Sequence, residues 1–311
     1  MQTGILNTDK PSGLTSHDVV DRVRSLTGIR RVGHAGTLDP LATGVLVVCI
    51  GRLATRVVEY LRGEPKTYWV EAFLGIATDT FDAEGQVVSR SPVRVDRDAV
   101  ERGLRRYLGS IEQIPPMYSA VKHRGKPLHR LARRGLEVER KPRQVDVHSL
   151  QLISWYPPRC AMVMSCSAGT YVRVLVHDLG QELGCGAHVS ALRRLASGSF
   201  QVRDAVTLDT FAEAARAGRW QDMLHSVDSV LANRFPALRL GGVAARQLCS
   251  GQPVRVDGTR IEHAELARVY GPEGRLLGLA AYDAVRDVWR PHKIFVSPWP
   301  GPAPGRTMEA N

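Results

Sequence analysis

The densest chemical signal in the 311-residue chain is the run Gly33-His34-Ala35-Gly36-Thr37-Leu38-Asp39-Pro40-Leu41-Ala42-Thr43-Gly44. Its glycines permit backbone shapes that other residues resist. Pro40 drives Asp39 toward an extended conformation and limits its freedom. The expected result is a stiff loop displaying one carboxylate, with no second acid between Gly33 and Gly44. A carboxylate held in this way is suited to nucleophilic or proton-transfer work. An ordinary Asp-Pro turn without chemistry satisfies the same residues.

The second signal is charge. The chain carries 42 Lys and Arg against 31 Asp and Glu, a formal net charge of +11. The excess gathers between Lys122 and Arg143, where Lys122, Arg124, Lys126, Arg130, Arg133, Arg134, Arg140, Lys141 and Arg143 face only Glu137 and Glu139. Such clustering favours a polyanionic partner held through phosphates, although a solvated face would show the same composition. Leu128, Leu131, Leu136 and Val138 are interleaved, which argues against a disordered tail. A short helix from about Pro127 to Arg134 and a hairpin-like return are expected there.

Several functional classes find no support. Positions 184 and 186 are glycine but 189 is Val, so the dinucleotide fingerprint fails; Gly125-Lys126 is followed by Pro127, so no phosphate loop forms. The five cysteines lack any C-x-x-C spacing and the ten histidines show no metal-ligand pattern. No cofactor and no metal are expected. No apolar run approaches the roughly 18 residues of a membrane span. The opening Met1-Gln2-Thr3-Gly4-Ile5 lacks the basic-then-apolar order of a signal peptide. A soluble, cytoplasmic protein without a membrane partner is expected, and nothing demands a partner subunit, so a monomer is expected.

The elements that must position Asp39 follow from periodicity. Ser16 is placed to cap a helix with Val19, Val20, Val23 and Leu26 on one face and Gly28 stopping it. The glycine loop then feeds a strand, Val45–Ile50. A helix is expected over Leu53–Leu61, a strand over Tyr68–Leu74, a polar turn over Asp79–Gly85, and a helix marked by Val100, Leu104 and Leu108. A strand over Ala161–Ser165 and a helix marked by Val172, Leu175, Val176 and Leu179 follow, with further helices expected at Val189–Leu195 and Thr207–Ala215. After about Asn233, short strands separated by glycines (Ala237–Leu240, Pro253–Val256, Leu266–Tyr270, Leu276–Tyr282 and Lys293–Val296) suggest a small β-rich domain. Strands and helices do not alternate strictly, so the class is α+β. The expected domains are residues 1–232 and 233–297, with a flexible tail over 298–311.

Five blocks in order resemble the bacterial tRNA pseudouridine synthase B family. They are Asp9-Lys10-Pro11-Ser12-Gly13-Leu14-Thr15-Ser16; the Gly33–Gly44 loop; Lys66-Thr67-Tyr68-Trp69-Val70 with Thr78-Asp79-Thr80-Phe81-Asp82; Ile114-Pro115-Pro116-Met117-Tyr118-Ser119-Ala120-Val121-Lys122; and Cys166-Ser167-Ala168-Gly169-Thr170-Tyr171-Val172-Arg173. The resemblance implies a catalytic domain built on a mixed, largely antiparallel sheet flanked by helices, followed by a PUA-like RNA-binding domain. It implies isomerisation of uridine to pseudouridine at position 55 in the T loop of tRNA, together with help in tRNA folding.

By the same resemblance Asp39 is the catalytic aspartate, as nucleophile or base, and Arg173 its ion-pair partner. Tyr68 stacks on the target base and serves in proton transfer, while His34 fills the space vacated in the RNA. Lys10 and Pro11 support the loop or a phosphate, and Leu192 walls the pocket or packs in the core. The basic stretch corresponds to an insertion of about residues 113–143 that closes over the T stem-loop through Lys122, Arg124, Lys126, Arg130, Arg133 and Arg134. Where the family often has Tyr, this chain has His129. Two other classes remain open on the residues: a non-catalytic RNA-binding module, and a glycoside hydrolase, which would want a second carboxylate such as Asp79 or Asp82.

Overall fold

In the computed structural model residues 3–256 and 265–296 are described. The chain divides into two units, Met1–Leu224 and His225–Asn311. In chain order the first contains β1 (Gly4–Lys10), α1 (Ser16–Thr27), β2 (Val32–His34), β3 (Thr43–Ile50), α2 (Gly51–Thr55), α3 (Val58–Arg62), β4 (Lys66–Leu74), β5 (Ile76–Thr78), β6 (Val87–Arg90), α4 (Arg97–Arg105) and β7 (Gly109–Gln113). It continues with β8 (Lys122–His123), β9 (Lys126–Pro127), α5 (Leu128–Ala132), β10 (Arg143–Tyr156), β11 (Arg159–Cys166), α6 (Val172–Glu182), β12 (Ala187–Ser197), β13 (Phe200–Gln201), β14 (Val206–Thr207) and α7 (Leu208–Arg216).

One ten-stranded sheet organises this unit, with the path β14-β1-β3-β12-β4-β11-β10-β7; β2 adds to β3 and β13 to β12. The β1–β14 and β3–β12 pairs are parallel and the other pairs of the sheet antiparallel. The class is therefore α+β with a mixed, largely antiparallel sheet. Strand β3 is buried from Gly44 through Ile50, as expected of a strand covered on both faces. Strand β4 alternates strictly, burying Lys66, Tyr68, Val70, Ala72 and Leu74 on one face. Helix α6 buries Val172, Leu175, Val176 and Leu179, which join Val70, Met162, Met164 and Val189 in the core. All five cysteines are buried thiols.

Several local expectations shift. Thr15, not Ser16, caps α1: its hydroxyl accepts from Asp18 N–H and Asp18 returns the bond, while Gly28 ends the helix at φ 69°. The helix expected over Leu53–Leu61 is two short ones, α2 and α3, and Leu108 lies beyond α4, 45% exposed. The segment Val189–Leu195 is strand β12 rather than helix. A bulge between Val189 and Ala191 shifts the phase, and beyond it Leu192, Arg194 and Ala196 are the buried positions. A fully buried arginine and a bulge together imitate helical spacing. Strand β10 was not expected at all, because its bulges near His148 and Ile153 interrupt alternation. In the basic stretch the hairpin precedes α5 rather than following it: β8 and β9 pair around Arg124 and Gly125, both at positive φ.

The second unit holds α8 (Val227–Ala232), β15 (Ala237–Arg239), α9 (Gly242–Cys249), β16 (Leu266–Tyr270), β17 (Leu276–Asp283) and β18 (Val288–Ile294). Its four strands run in the order β15-β16-β17-β18 over a core of Leu238, Leu248, Val269, Leu277 and Trp289. Helix α9 was not expected, Val254 makes only a single bridge to Trp289, and the last strand begins five residues before Lys293. Helix α8 belongs to this unit because Asp228 pairs with Arg268 at 2.8 Å and accepts a hydrogen bond from Tyr270. The tail expected over 298–311 lies outside the described residues.

Candidate active site

The Gly33–Gly44 loop is fixed from behind by three buried polar side chains. The fully buried Lys10 ammonium donates to the carbonyls of Pro11 (2.8 Å), Leu14 (2.6 Å) and Pro40 (3.2 Å). Ser16 Oγ accepts from Leu38 N–H at 2.8 Å and donates to Leu38 C=O at 3.1 Å. Arg194, 1% exposed, donates from Nε to Val45 C=O at 2.6 Å and from its Nη atoms to the carbonyls of Thr37 and Gly36. Buried carbonyls require such partners. Lys10 thus braces the loop, and its burial leaves no surface for an RNA phosphate. Burial also pushes its ammonium down to about 8. Pro11 is exposed at the turn that follows.

Asp39 stands at the front of this loop with about a third of its side chain exposed, and Arg173 Nε lies 2.9 Å from its Oδ2. Arg173 comes from the first turn of α6 and is almost wholly buried. It spends Nη1 on Asp82 Oδ2 at 3.0 Å and Thr80 C=O at 2.8 Å, and Nη2 on Tyr118 C=O at 2.8 Å. One guanidinium therefore aligns two carboxylates and two loops. Desolvation pushes the Asp39 carboxyl up from its usual range; Arg173 pulls against this, and the neighbouring Asp82 adds to it. Asp82 is itself held by Thr80 Oγ1 at 2.6 Å and Glu84 N–H at 3.1 Å.

Asp39, Arg173, Tyr68, His34 and Leu192 all line one cavity of about 530 Å³. Tyr68 enters from the buried face of β4, and burial raises its phenol pKa while Arg194 beside it pulls the other way. Burial, Arg62 and Arg194 lower the pKa of His34, so its imidazole is neutral at pH 7. Leu192, 6% exposed, reaches the cavity from β12. Sequence reasoning missed Arg194 and Arg62 in the lining, and it quoted Lys66, Tyr171 and Arg143 without placing them there. Arg194 gave no local signal that set it apart from its neighbour Arg193 in β12. Among the described residues no cluster of three or more His, Cys, Asp or Glu could hold a metal.

Lys122, Arg124, Lys126, Arg130, Arg133 and Arg134 are exposed on the β8–β9 hairpin and around α5, outside the cavity lining. Their segment is tied to the cavity rim. Leu128 N–H bonds Val121 C=O and His129 N–H bonds Ser119 C=O, and both acceptors belong to residues that line the cavity. His129 Nδ1 also lies 3.1 Å from the Ser119 carbonyl oxygen, so this ring holds its own segment.

Comparison with known proteins agrees with this architecture. The family model for the TruB family pseudouridylate synthase N-terminal domain matches residues 24–172. Models for the tRNA pseudouridylate synthase B C-terminal domain and the pseudouridine synthase II TruB C-terminal region match residues 173–232 and 236–286. The tRNA pseudouridine synthase B of Syntrophotalea carbinolica is 46% identical over 90% of this chain and 92% of its own. That of Pseudomonas aeruginosa is 44% identical over 89% and 91%. A crystal structure of a Cbf5-Nop10-Gar1 complex superposes with a TM-score of 0.72 at 26% identity, covering 95% of this chain and 85% of the solved one. The chain belongs to the TruB family of pseudouridylate synthases.

Proposed function

We propose that this protein isomerises uridine to pseudouridine in tRNA, at position 55 of the T loop. The observation that carries the reading is an arginine-paired Asp39 opening into a cavity walled by Tyr68 and Leu192. A uridine stacked within folded RNA hides its glycosidic bond and must be everted, at a cost of a few kcal/mol. Stacking on Tyr68 and filling of the vacated space by His34 offset that cost. In the cavity Asp39 meets the ribose–uracil junction, as nucleophile or as base. The C1′–N1 bond breaks and the C1′–C5 bond forms; the hydrogen on C5 leaves to solvent and N1 gains one. The sum is redox-neutral and asks for no cofactor or metal. The six exposed cations from Lys122 to Arg134 clamp the T stem-loop, and the enzyme acts as a cytoplasmic monomer.

A hydrolase would set a second carboxylate across the cleft to handle water. Asp82 lies on the other side of the guanidinium and is committed to Arg173, Thr80 and Glu84, which favours isomerisation. The test is tRNA carrying tritium at uridine C5, scored for tritium release and free uracil. Isomerisation releases tritium without uracil. Release of uracil would establish hydrolysis, and neither product would leave only an RNA-binding module.

A further inference from the structure

Arg173 is shared between Asp39 and Asp82, and the turn that carries Asp82 is strained. Phe81, the residue before it, has φ 66°, a left-handed conformation that bulky side chains rarely adopt. The backbone is pinned on both sides, since Val189 N–H donates to Phe81 C=O at 3.0 Å and Ala83 N–H donates to Val189 C=O at 2.9 Å. The phenyl ring has a separate restraint. It stacks on His177, with ring centroids 3.9 Å apart and planes 18° from parallel.

His177 lies four residues after Arg173 on α6, so the two side chains project from one face in successive turns. Arg173 takes the carboxylate of Asp82 while His177 takes the ring of Phe81. One helix therefore grips two consecutive residues of the turn. His177 Nδ1 is buried without a hydrogen-bond partner among the described residues, so the imidazole serves here by its face. An unpartnered buried nitrogen carries a desolvation cost that an apolar ring at the same place would avoid.

Building on the uridine isomerase reading, we infer that His177 is a positioning residue: its stack on Phe81 sets the Asp82 carboxylate, and through Arg173 the Asp39 carboxylate, for the chemical step. The chain of contacts predicts a defect in rate rather than in RNA affinity. Neither ring lines the cavity.

The test is single-turnover tritium release from C5-labelled tRNA, with the dissociation constant measured separately. His177→Ala should lower the saturated rate about tenfold, with tRNA affinity held within about twofold. His177→Phe restores a flat ring and should return the rate to within about twofold of wild type. Phe81→Gly relaxes the strained φ and removes the ring while leaving α6 intact, so it reads the same defect should His177→Ala fail to fold. In that background His177→Ala should add nothing further. A wild-type rate in His177→Ala or Phe81→Gly, with only a lowered melting temperature, overturns the inference, as does His177→Phe running as slowly as His177→Ala. Absence of tritium release by the wild-type enzyme would overturn the isomerase reading itself, and this inference with it.

Discussion

Gly44 is pressed against the backbone of Arg194: a Cβ at position 44 would stand 2.2 Å from the Arg194 carbonyl oxygen and 2.8 Å from its nitrogen. The two residues are partners in the parallel β3–β12 pairing, and Gly44 has φ 99°. The last glycine of the Asp39 loop is thus a point of close approach between two strands. The same arginine reaches back with its side chain to carbonyls of that loop.

Gly44→Ala should therefore destabilise the protein by about 3 kcal/mol, from steric overlap and an unfavourable φ together. Urea unfolding followed by circular dichroism measures this. A loss under about 1 kcal/mol would mean the strands can part without penalty.

Asp39→Asn preserves shape and a hydrogen-bond acceptor for Arg173 but removes the charge. We expect tRNA affinity within a few-fold of wild type and turnover below about one per cent. Higher residual activity in that variant would count against Asp39 as the reacting group.

The acid limb of the pH–rate profile should report Asp39. Burial raises its pKa, with Asp82 adding to the effect. The carboxylate is lost as pH falls through that raised value, so the limb should sit above the roughly 3.9 of an ordinary aspartate. Asp82→Asn removes the like charge, and the limb should move to lower pH while the neutral-pH rate drops as Arg173 loses an anchor. A limb unmoved or shifted upward in Asp82→Asn would contradict the coupling.

Lys10 makes stability depend on pH in an unusual direction. Its folded-state pKa is about 8, against 10.5 for the free side chain, because it is desolvated. Between those values the unfolded chain binds more protons, so stability rises with pH across the window. Lys66, also lowered to about 8 by burial, adds to the rise. Lys10→Met should flatten part of it and destabilise the protein at pH 7 by roughly 1–3 kcal/mol, since three carbonyls lose their donor. Denaturant titrations near pH 7 and pH 9.5 measure both effects. A stability gap between wild type and Lys10→Met that shrinks from pH 7 to pH 9.5 would refute the sign.

Replacing Arg130, Arg133 and Arg134 by Gln should leave the fold intact, because all three are exposed. Binding to tRNA should weaken, and the slope of log K against log salt should shrink by roughly 2 to 3. An unchanged slope would remove these residues from the phosphate contacts.

Asp39 stood out in the sequence as an acid before a proline among glycines, whereas Arg173 and Tyr68 were picked out only through the resemblance to the family. All three meet in one cavity. What supports them was less legible, since Lys10, Ser16 and Arg194 act through backbone carbonyls distant in sequence, and no local pattern announces such a partner. Strand β12 was misread as helix because its bulge and its buried arginine spoil the two-residue period. Asp82 was visible as a turn residue and as a candidate second acid; its use against Arg173 depends on a contact spanning 91 positions.

Strand β12 pairs with β3, which leaves the aspartate loop, and with β4, which carries the tyrosine. The two proposed site residues are thereby tied, directly or through the adjoining loop, to strands paired with the same β12. A scaffold tied together in this way has little freedom to mould itself to an incoming strand. Accommodation then falls to the nucleic acid, and substrates should be sorted by how readily their own loop deforms rather than by how far the protein yields.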